Sequence, residues 1–172
     1  EVASDRLLKK MNKGVTVEQV ARVTRNFRKS KILVHAYLMF GFPSQTLEET
    51  VESLERVRQL FLHDCINSAF WHRFSATAHS PVGLKPEEFG VTIHETETSF
   101  ARNDLPFSDS VNCNHDALGL GLRRAVYNYM HGIGLDQDVR TWFEPEVQQG
   151  LLPKKLPKPN VSKDLIRDAI KG

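Results

Sequence analysis

Residues 32–49 read ILVHAYLMFGFPSQTLEE, and this stretch decides the fold. Residues 32–40 are almost continuously apolar, which is typical of a parallel strand covered on both faces. A Gly-Phe-Pro-Ser-Gln-Thr loop follows, in which Thr46 and Glu49 match the capping box that starts a helix. The stretch therefore predicts one strand–loop–helix unit of a parallel α/β fold.

The segments upstream predict two helices. Ser4 is placed to cap a short helix, and Gly14 is placed to end it. Thr16 and Gln19 match a second capping box. The apolar stripe of the helix that follows has helical spacing and consists of Val17, Val20, Val23 and Phe27. We expect this stripe to face the core.

The segments downstream continue the alternation. A stripe of Val51, Leu54, Val57 and Phe61 predicts the buried face of the next helix. Residues 66–75 (INSAFWHRFS) are rich in aromatic residues and predict the next strand. Strands that alternate with helices at this spacing favour a parallel sheet or barrel. Later in the chain, residues 91–93 predict a short strand, and Asn114 is placed to start a helix that ends at Gly132.

Composition excludes several classes of protein. The chain has 172 residues, 40% hydrophobic and 26% charged, which is ordinary for a globular protein. A net charge of +2 gives no electrostatic reason to expect nucleic acid or a membrane surface as the main partner. Cys65 and Cys113 belong to no clustered motif, so we predict no metal site in this chain and free thiols in a cytoplasmic protein. The chain opens inside a predicted helix without an initiator Met, as expected of part of a longer protein.

Three stretches together resemble the radical S-adenosylmethionine superfamily: EVASDRLLKKMNKG (1–14), VHAYLMFGFPSQTLEET (34–50) and SAFWHRFSATAHSPV (68–82). They are most similar to its cobalamin-binding type and to members that resemble oxygen-independent coproporphyrinogen oxidase. The resemblance implies an α/β fold: the carboxyl-terminal part of a partial (β/α) TIM-like barrel at 1–110, followed by a helical extension at 111–172.

The resemblance also implies the chemistry of the full-length protein. Such an Fe-S oxidoreductase holds S-adenosylmethionine and a [4Fe-4S] cluster and generates a 5′-deoxyadenosyl radical. Whether cobalamin is used as well stays open. The CxxxCxxC motif that binds the cluster is absent here, so we expect the fragment to be inactive alone and to need the missing amino-terminal half as its partner. The alternative is a non-catalytic α/β interaction module.

Carried onto this sequence, the resemblance implies a set of cofactor contacts. Glu1 meets the ribose hydroxyls, and Lys13 faces the carboxylate of the cofactor. The contacts implied around the adenine are Leu38, Met39, Gly41 and the backbone of Phe74 and Ser75. The residues themselves allow other roles: Lys13 as a solvated charge at a helix end, Leu38 and Met39 as core, and Gly41 as a simple turn.

His72 and Arg73 lie near the end of the second predicted strand, where either side chain could face the substrate. A metal site formed by His72 with His79 has no third ligand at a recognisable spacing. We therefore predict a substrate-facing or core role for His72. No catalytic residue is identified by the sequence.

Overall fold

The computed structural model describes residues 1–95, 97 and 103–171. Its helices are α1 (Asp5–Lys10), α2 (Val17–Lys29), α3 (Leu47–Leu62), α4 (Pro81–Leu84), α5 (Pro86–Phe89), α6 (His115–Tyr129), α7 (Glu144–Gln148) and α8 (Leu165–Ala169). Its strands are β1 (His35–Phe40), β2 (Ser68–Arg73), β3 (Ala76–Thr77), β4 (Val91–Ile93), β5 (Asp104–Leu105) and β6 (Phe107–Asp109). A 3₁₀ turn, Val139–Phe143, precedes α7.

The central unit is a parallel pair of strands joined by a helix. β1 and β2 pair in parallel, with His35 opposite Ser68 and Phe40 opposite Arg73, and α3 connects them. β3 pairs with β5 and β4 with β6, both antiparallel. The predicted α/β class and the strand at 91–93 are therefore confirmed. The described residues form no closed barrel, so the partial barrel stays a prediction.

The parallel pair is covered on one face. Leu38 and Phe40 of β1 and Trp71 of β2 are buried on the side of the helices, where the rings of Phe40 and Trp71 meet edge to face at 6.3 Å. α6 packs closely here because Gly119 lies against Phe40: a Cβ at this glycine would stand 2.7 Å from the ring. The opposite face of the strand pair is largely exposed, and it includes His35, Tyr37, Phe70 and His72.

Local hydrogen bonds start the helices where the sequence predicts. The hydroxyl of Ser4 accepts a hydrogen bond from the amide of Leu7 at the start of α1. Thr16 before α2 and Thr46 before α3 both form complete capping boxes, with Gln19 and Glu49. Each cap satisfies amide groups that the first helical turn leaves without a partner.

The predicted helix end at Gly132 is confirmed, since this glycine has a φ of +71° and the amide of Ile133 bonds back to Asn128, but the first helix does not end at Gly14. Each of the first three helices ends in a left-handed residue that is not glycine: Asn12 (φ 53°), Lys31 (φ 62°) and Asp64 (φ 51°). In each case the next amide bonds back to the last turn, which is the Schellman arrangement: Lys13 to Leu8, Ile32 to Phe27 and Cys65 to Leu60. Gly14 lies beyond the end of α1. The turn that closes α2 uses the chain as far as Ile32, and β1 begins at His35 rather than at Ile32.

The predicted apolar stripe of α2 is buried only in part. Val17 is buried, but Val23 and Phe27 are 51% and 46% exposed. Ala21, fully buried, takes the inward position instead. α2 contacts α8, while Val23 and Phe27 lie on the side of the helix that is open to solvent. A helical period predicts a helix, but only its neighbours decide which side is covered.

The carboxyl-terminal segments pack back onto this unit. α6 lies against β2 and α3. Farther along, the side chain of Gln59 donates to the carbonyl of Ser162 at 2.8 Å and accepts from the amide of Ile166 at 3.2 Å. Gln59 and Ile166 are both fully buried, so the last helix is part of the core. A domain boundary near residue 111 stays a prediction.

Candidate functional site

The loop after β1 is held by a buried side chain. Gly41 and Ser44 have left-handed backbones, with φ of +74° and +71°. The side-chain oxygen of Gln45 accepts hydrogen bonds from the amides of Gly41 and Phe42, at 2.8 and 3.3 Å. Gln45 is fully buried, and its Nε2 has no hydrogen-bond partner among the described residues. The loop therefore has one fixed shape at the carboxyl end of β1.

The chain leaving β2 lies beside this loop. The amide of Phe74 donates to the carbonyl of Phe40 at 2.8 Å, which continues the strand pairing by one step. Arg73, the last residue of β2, forms an ion pair with Asp116 at the start of α6. The hydroxyl of Ser75 donates to the carboxylate of Asp104 at 2.8 Å. Gly41 and residues 73–75 thus share one edge of the sheet.

α6 brings His115 over the Gly41 loop. A Cβ built on Gly41 would lie 3.4 Å from Cγ of His115 and 3.7 Å from Cγ of Arg73. Nδ1 of His115 is buried and has no hydrogen-bond partner in the described part of the chain. Desolvation lowers the pKa of His115 more than the nearby charge of Asp109 raises it, so the imidazole is neutral near pH 7.

A cavity of about 550 Å³ opens between these segments. Gly41 and residues 73–76 line one side, residues 104–109 line another, and Cys113 and His115 complete the wall. Ligands of parallel α/β proteins bind at the carboxyl ends of strands, which is where this cavity lies. We take it as the candidate site.

Cys113 is the one thiol in the lining that the structure describes. Burial raises the pKa of Cys113 to about 11, and the charges of Glu48 and Asp109 act in the same direction. A thiol with this pKa stays protonated near pH 7 and is a poor nucleophile. Cys113 is therefore not suited to act as a nucleophile in this cavity.

Glu1 and Lys13, the predicted contacts to ribose and carboxylate, pair with each other. The ammonium of Lys13 lies 3.0 Å from the carboxylate of Glu1, and both side chains are partly exposed. The carbonyl of Glu1 accepts from the amide of Met39, two residues before Gly41. The amino group of Glu1 also donates to the carbonyl of Tyr37, so Glu1 and its partner Lys13 lie beside the middle of β1, and neither residue lines the cavity.

The other predicted residues divide between the faces of the sheet. Leu38 is 6% exposed and packs in the core, whereas Met39 lies on the opposite, open face. His72 also lies on the open face, stacked on Tyr37 with ring centroids 5.1 Å apart. Arg73 alternates to the other face and lines the cavity. The structure thus brings Gly41, Arg73, Phe74 and Ser75 together, but it separates Leu38 from Met39 and His72 from Arg73.

Sequence reasoning missed three residues of this site. His115 shows no sequence constellation because its neighbours, Gly41 and Arg73, come from distant segments. Asp109 accepts a hydrogen bond from the amide of Ser44, again across a long separation. Gln45 lies inside the quoted loop motif, so its spacing to Gly41 was a readable signal for a side chain that closes the turn.

The described residues offer neither a metal site nor a helix that could cross a membrane. In this part of the chain, no three His, Cys, Asp or Glu side chains come close enough to hold a metal ion. Within residues 1–95, 97 and 103–171, every helix is too short or too polar to cross a membrane.

Comparison with known proteins finds two relatives, and both have the same name. The chain is 33% identical, over 86 residues, to the tRNA-2-methylthio-N(6)-dimethylallyladenosine synthases of two strains of Cereibacter sphaeroides. The match covers 49% of this chain and 19% of each relative, so the chain matches about a fifth of the length of these proteins. No family model and no solved structure matches. Neither the cobalamin-binding type nor the coproporphyrinogen oxidase-like type is supported by these matches.

Proposed function

We propose that this chain is part of a radical S-adenosylmethionine Fe-S oxidoreductase and contributes the surface that binds the adenosine end of the cofactor. The observation that carries the proposal is the 86-residue similarity to the methylthio synthases. Their name describes a methylthio group on carbon 2 of an adenine, a position that carries hydrogen in the unmodified base. Replacing an unactivated C–H bond in this way is a task suited to radical chemistry.

The cavity offers what an adenosyl group needs. Gly41 leaves open the space that a Cβ would fill beneath His115, at the edge of the cavity. Phe74 adds an apolar wall, and Ser75 and Asp104 add oxygen atoms. Sites that bind a flat base usually combine an apolar wall with a few polar groups, as this cavity does.

The Glu1–Lys13 pair is suited to the polar end of the same cofactor. Both side chains are partly exposed, with 47% and 38% of the surface of Glu1 and Lys13 accessible, so separating them costs little. A carboxylate can accept from ribose hydroxyls, and an ammonium can pair with the carboxylate of the cofactor. The roles inferred for Glu1 and Lys13 thus remain part of the proposal.

The cluster requires residues from elsewhere in the longer protein. Cys65 and Cys113 belong to no clustered motif, whereas an iron–sulfur cluster is held by several cysteines. When bound, the cluster supplies the electron for reductive cleavage of S-adenosylmethionine. Cobalamin is not included in the proposal.

The experiment uses the longer protein that contains this chain. We expect its sequence upstream of Glu1 to contain CxxxCxxC, and the purified protein to bind iron and sulfide under anaerobic conditions. With dithionite it should convert S-adenosylmethionine into 5′-deoxyadenosine and methionine, and the triple Cys→Ala variant should not. The 172-residue chain alone should gain no stable cluster absorption in the visible range. A longer protein without the motif, or one that forms no 5′-deoxyadenosine, would overturn the proposal.

A further inference from the structure

We propose that the outer edge of β1, the edge that faces away from β2, binds the segment that precedes Glu1 in the longer protein. This segment pairs with β1 as a parallel strand, and its alternate side chains fill an apolar groove between β1 and α2. The inference rests on the proposed function, which makes this chain part of a longer protein, and it adds the surface that joins the two parts. Among the described residues, this groove shares no lining residue with the cavity at the strand ends.

Glu1 occupies one position of a parallel ladder on β1. Its amino group donates to the carbonyl of Tyr37, and its carbonyl accepts from the amide of Met39 at 3.3 Å. One residue bonded to the two residues on either side of a third, here Leu38, is the pattern of parallel strands. An antiparallel pair exchanges both bonds with a single residue instead. A strand that ends at Glu1 therefore runs beside β1 in the same direction.

The backbone groups that continue this ladder belong to Tyr37 and His35. The N–H and C=O of one strand residue point to the same side, and successive residues alternate between the two sides. The carbonyls of Val34 and Phe40 accept hydrogen bonds from the chain of β2, so the odd-numbered residues of β1 face the outer edge. The amide of Tyr37 and the carbonyl of His35 therefore point to the place where the residues before Glu1 would lie.

The connection from Glu1 to β1 also fits this pairing. Two parallel neighbours need a crossover of about a dozen residues or more, which is usually helical. Between Glu1 and His35 the chain forms α1 and α2. This segment therefore has the length and the structure of a crossover between two adjacent parallel strands.

An apolar groove of about 290 Å³ lies along this edge. The helices contribute Leu8, Val17 and Val20 to its lining, and the chain of β1 contributes Val34 and Ala36. The groove is slightly smaller than most small-molecule sites, and few polar side chains line it to orient such a ligand. Alternate side chains of a strand point to one face, so a strand on the outer edge can insert apolar side chains here. Their burial removes apolar surface from water, which favours the pairing.

The test is hydrogen–deuterium exchange of backbone amides, compared between the longer protein and the 172-residue chain. The amide of Leu38 faces β2 in both proteins and is the internal reference, whereas the amide of Tyr37 gains a partner only when the added strand is present. We expect the exchange rate of Tyr37, divided by that of Leu38, to be about tenfold lower or less in the longer protein. Mass spectrometry with single-amide resolution measures both rates.

Two variants of the longer protein test the groove. Val20→Asp places a charge in the groove, where burial without a partner is costly. We expect it to raise the ratio of the two exchange rates about threefold or more, because the added strand is held less firmly. Leu120→Asp, at an exposed position in α6, is the matched control and should leave the ratio unchanged.

Equal ratios in the longer protein and in the 172-residue chain would overturn the inference and leave the proposed function intact. So would slow exchange of Tyr37 in the 172-residue chain that is lost on dilution, because a second copy of the chain would then be the partner of this edge. A ratio in Val20→Asp equal to that in Leu120→Asp would overturn the role of the groove. The proposed function fails on different evidence: absence of the cluster or of 5′-deoxyadenosine in the longer protein.

Discussion

Gln45 accepts a hydrogen bond from the amide of Gly41 at 2.8 Å through a side chain that is fully buried. The same oxygen accepts from Phe42, so one side chain satisfies two amides of the loop. We expect Gln45→Ala to lower the free energy of unfolding by at least about 2 kcal/mol, because each unpaired buried amide costs about 1–3 kcal/mol. Urea denaturation of Gln45→Ala and of the unsubstituted chain measures this difference in the free energy of unfolding. Gln148→Ala, at an exposed position, is the control and should change stability by less than about 0.5 kcal/mol.

The backbone of Gly41 leads to a second prediction. Gly41 and Gly14 have similar left-handed φ values, +74° and +69°, but only Gly41 has neighbours within 4 Å of the Cβ position. We expect Gly14→Ala to cost about 1–2 kcal/mol of stability through the backbone alone. Gly41→Ala should cost about as much, because its Cβ would meet the ring of His115 only at an ordinary van der Waals distance of 3.4 Å. Urea denaturation of the two variants measures both losses, and a clearly larger loss in Gly41→Ala would contradict this prediction.

The ion pair between Arg124 and Glu146 fixes α7 to α6. The side chain of Glu146 is 3% exposed, and its carboxylate lies 2.7 Å from the guanidinium of Arg124. We expect Arg124→Ala to destabilise the fold by about 3–5 kcal/mol, because it leaves a buried carboxylate unpaired. The double variant Arg124→Met/Glu146→Leu should recover most of this loss.

Thermal and urea unfolding measure the loss in Arg124→Ala and its recovery in the double variant. Lys85→Ala, which breaks the exposed pair with Glu88, is the control and should leave stability almost unchanged. A loss in Arg124→Ala no larger than that of this control would contradict the prediction. So would a double variant that is no more stable than Arg124→Ala.

The fold should lose stability as the pH falls below about 6.5, the ordinary pKa of histidine. Desolvation lowers the pKa of both His115 and His63 in the folded chain, so the unfolded chain takes up more protons in this range. Folding is therefore favoured above pH 6.5 and opposed as the pH falls through the lowered values. Urea denaturation at pH 7.5 and 5.5 measures the free energy of unfolding. Its drop between the two pH values should be smaller in His115→Phe and in His63→Phe than in the unsubstituted chain. If the drop is unchanged in both variants, the pH dependence does not come from these two histidines.

The features that the sequence predicts well are those set by local hydrogen bonds. Ser4, Thr16 and Thr46 cap their helices as expected, because a cap needs only the next few residues. The exposed side of α2 was beyond prediction, since burial of Val23 and Phe27 depends on neighbours in space. Helix ends at residues other than glycine carry no clear signal either, because their left-handed conformation is imposed by the chain that follows.

The candidate site also has one part that local sequence predicts and one part that depends on neighbours in space. Gly41, Phe74 and Ser75 follow from the strand–loop pattern and the family resemblance, and the structure places all three at one cavity. His115 reaches Gly41 only because α6 folds back over the strand ends, and no local pattern encodes that return. A sequence motif identifies the strand side of such a site, whereas the covering element has to be found in space.

The hydrogen bonds between Gln59 and the segment of Ser162 and Ile166 have a consequence for biosynthesis. Gln59 is translated long before its partners, so the buried amide of this side chain has to stay hydrated while the intervening chain is made. Because contacts so distant in sequence form late, the helical layer around α3 cannot be completed on the ribosome until Ile166 has left the exit tunnel. Until then, the nascent chain leaves uncovered the surface of α3 that the last helix contacts in the finished fold.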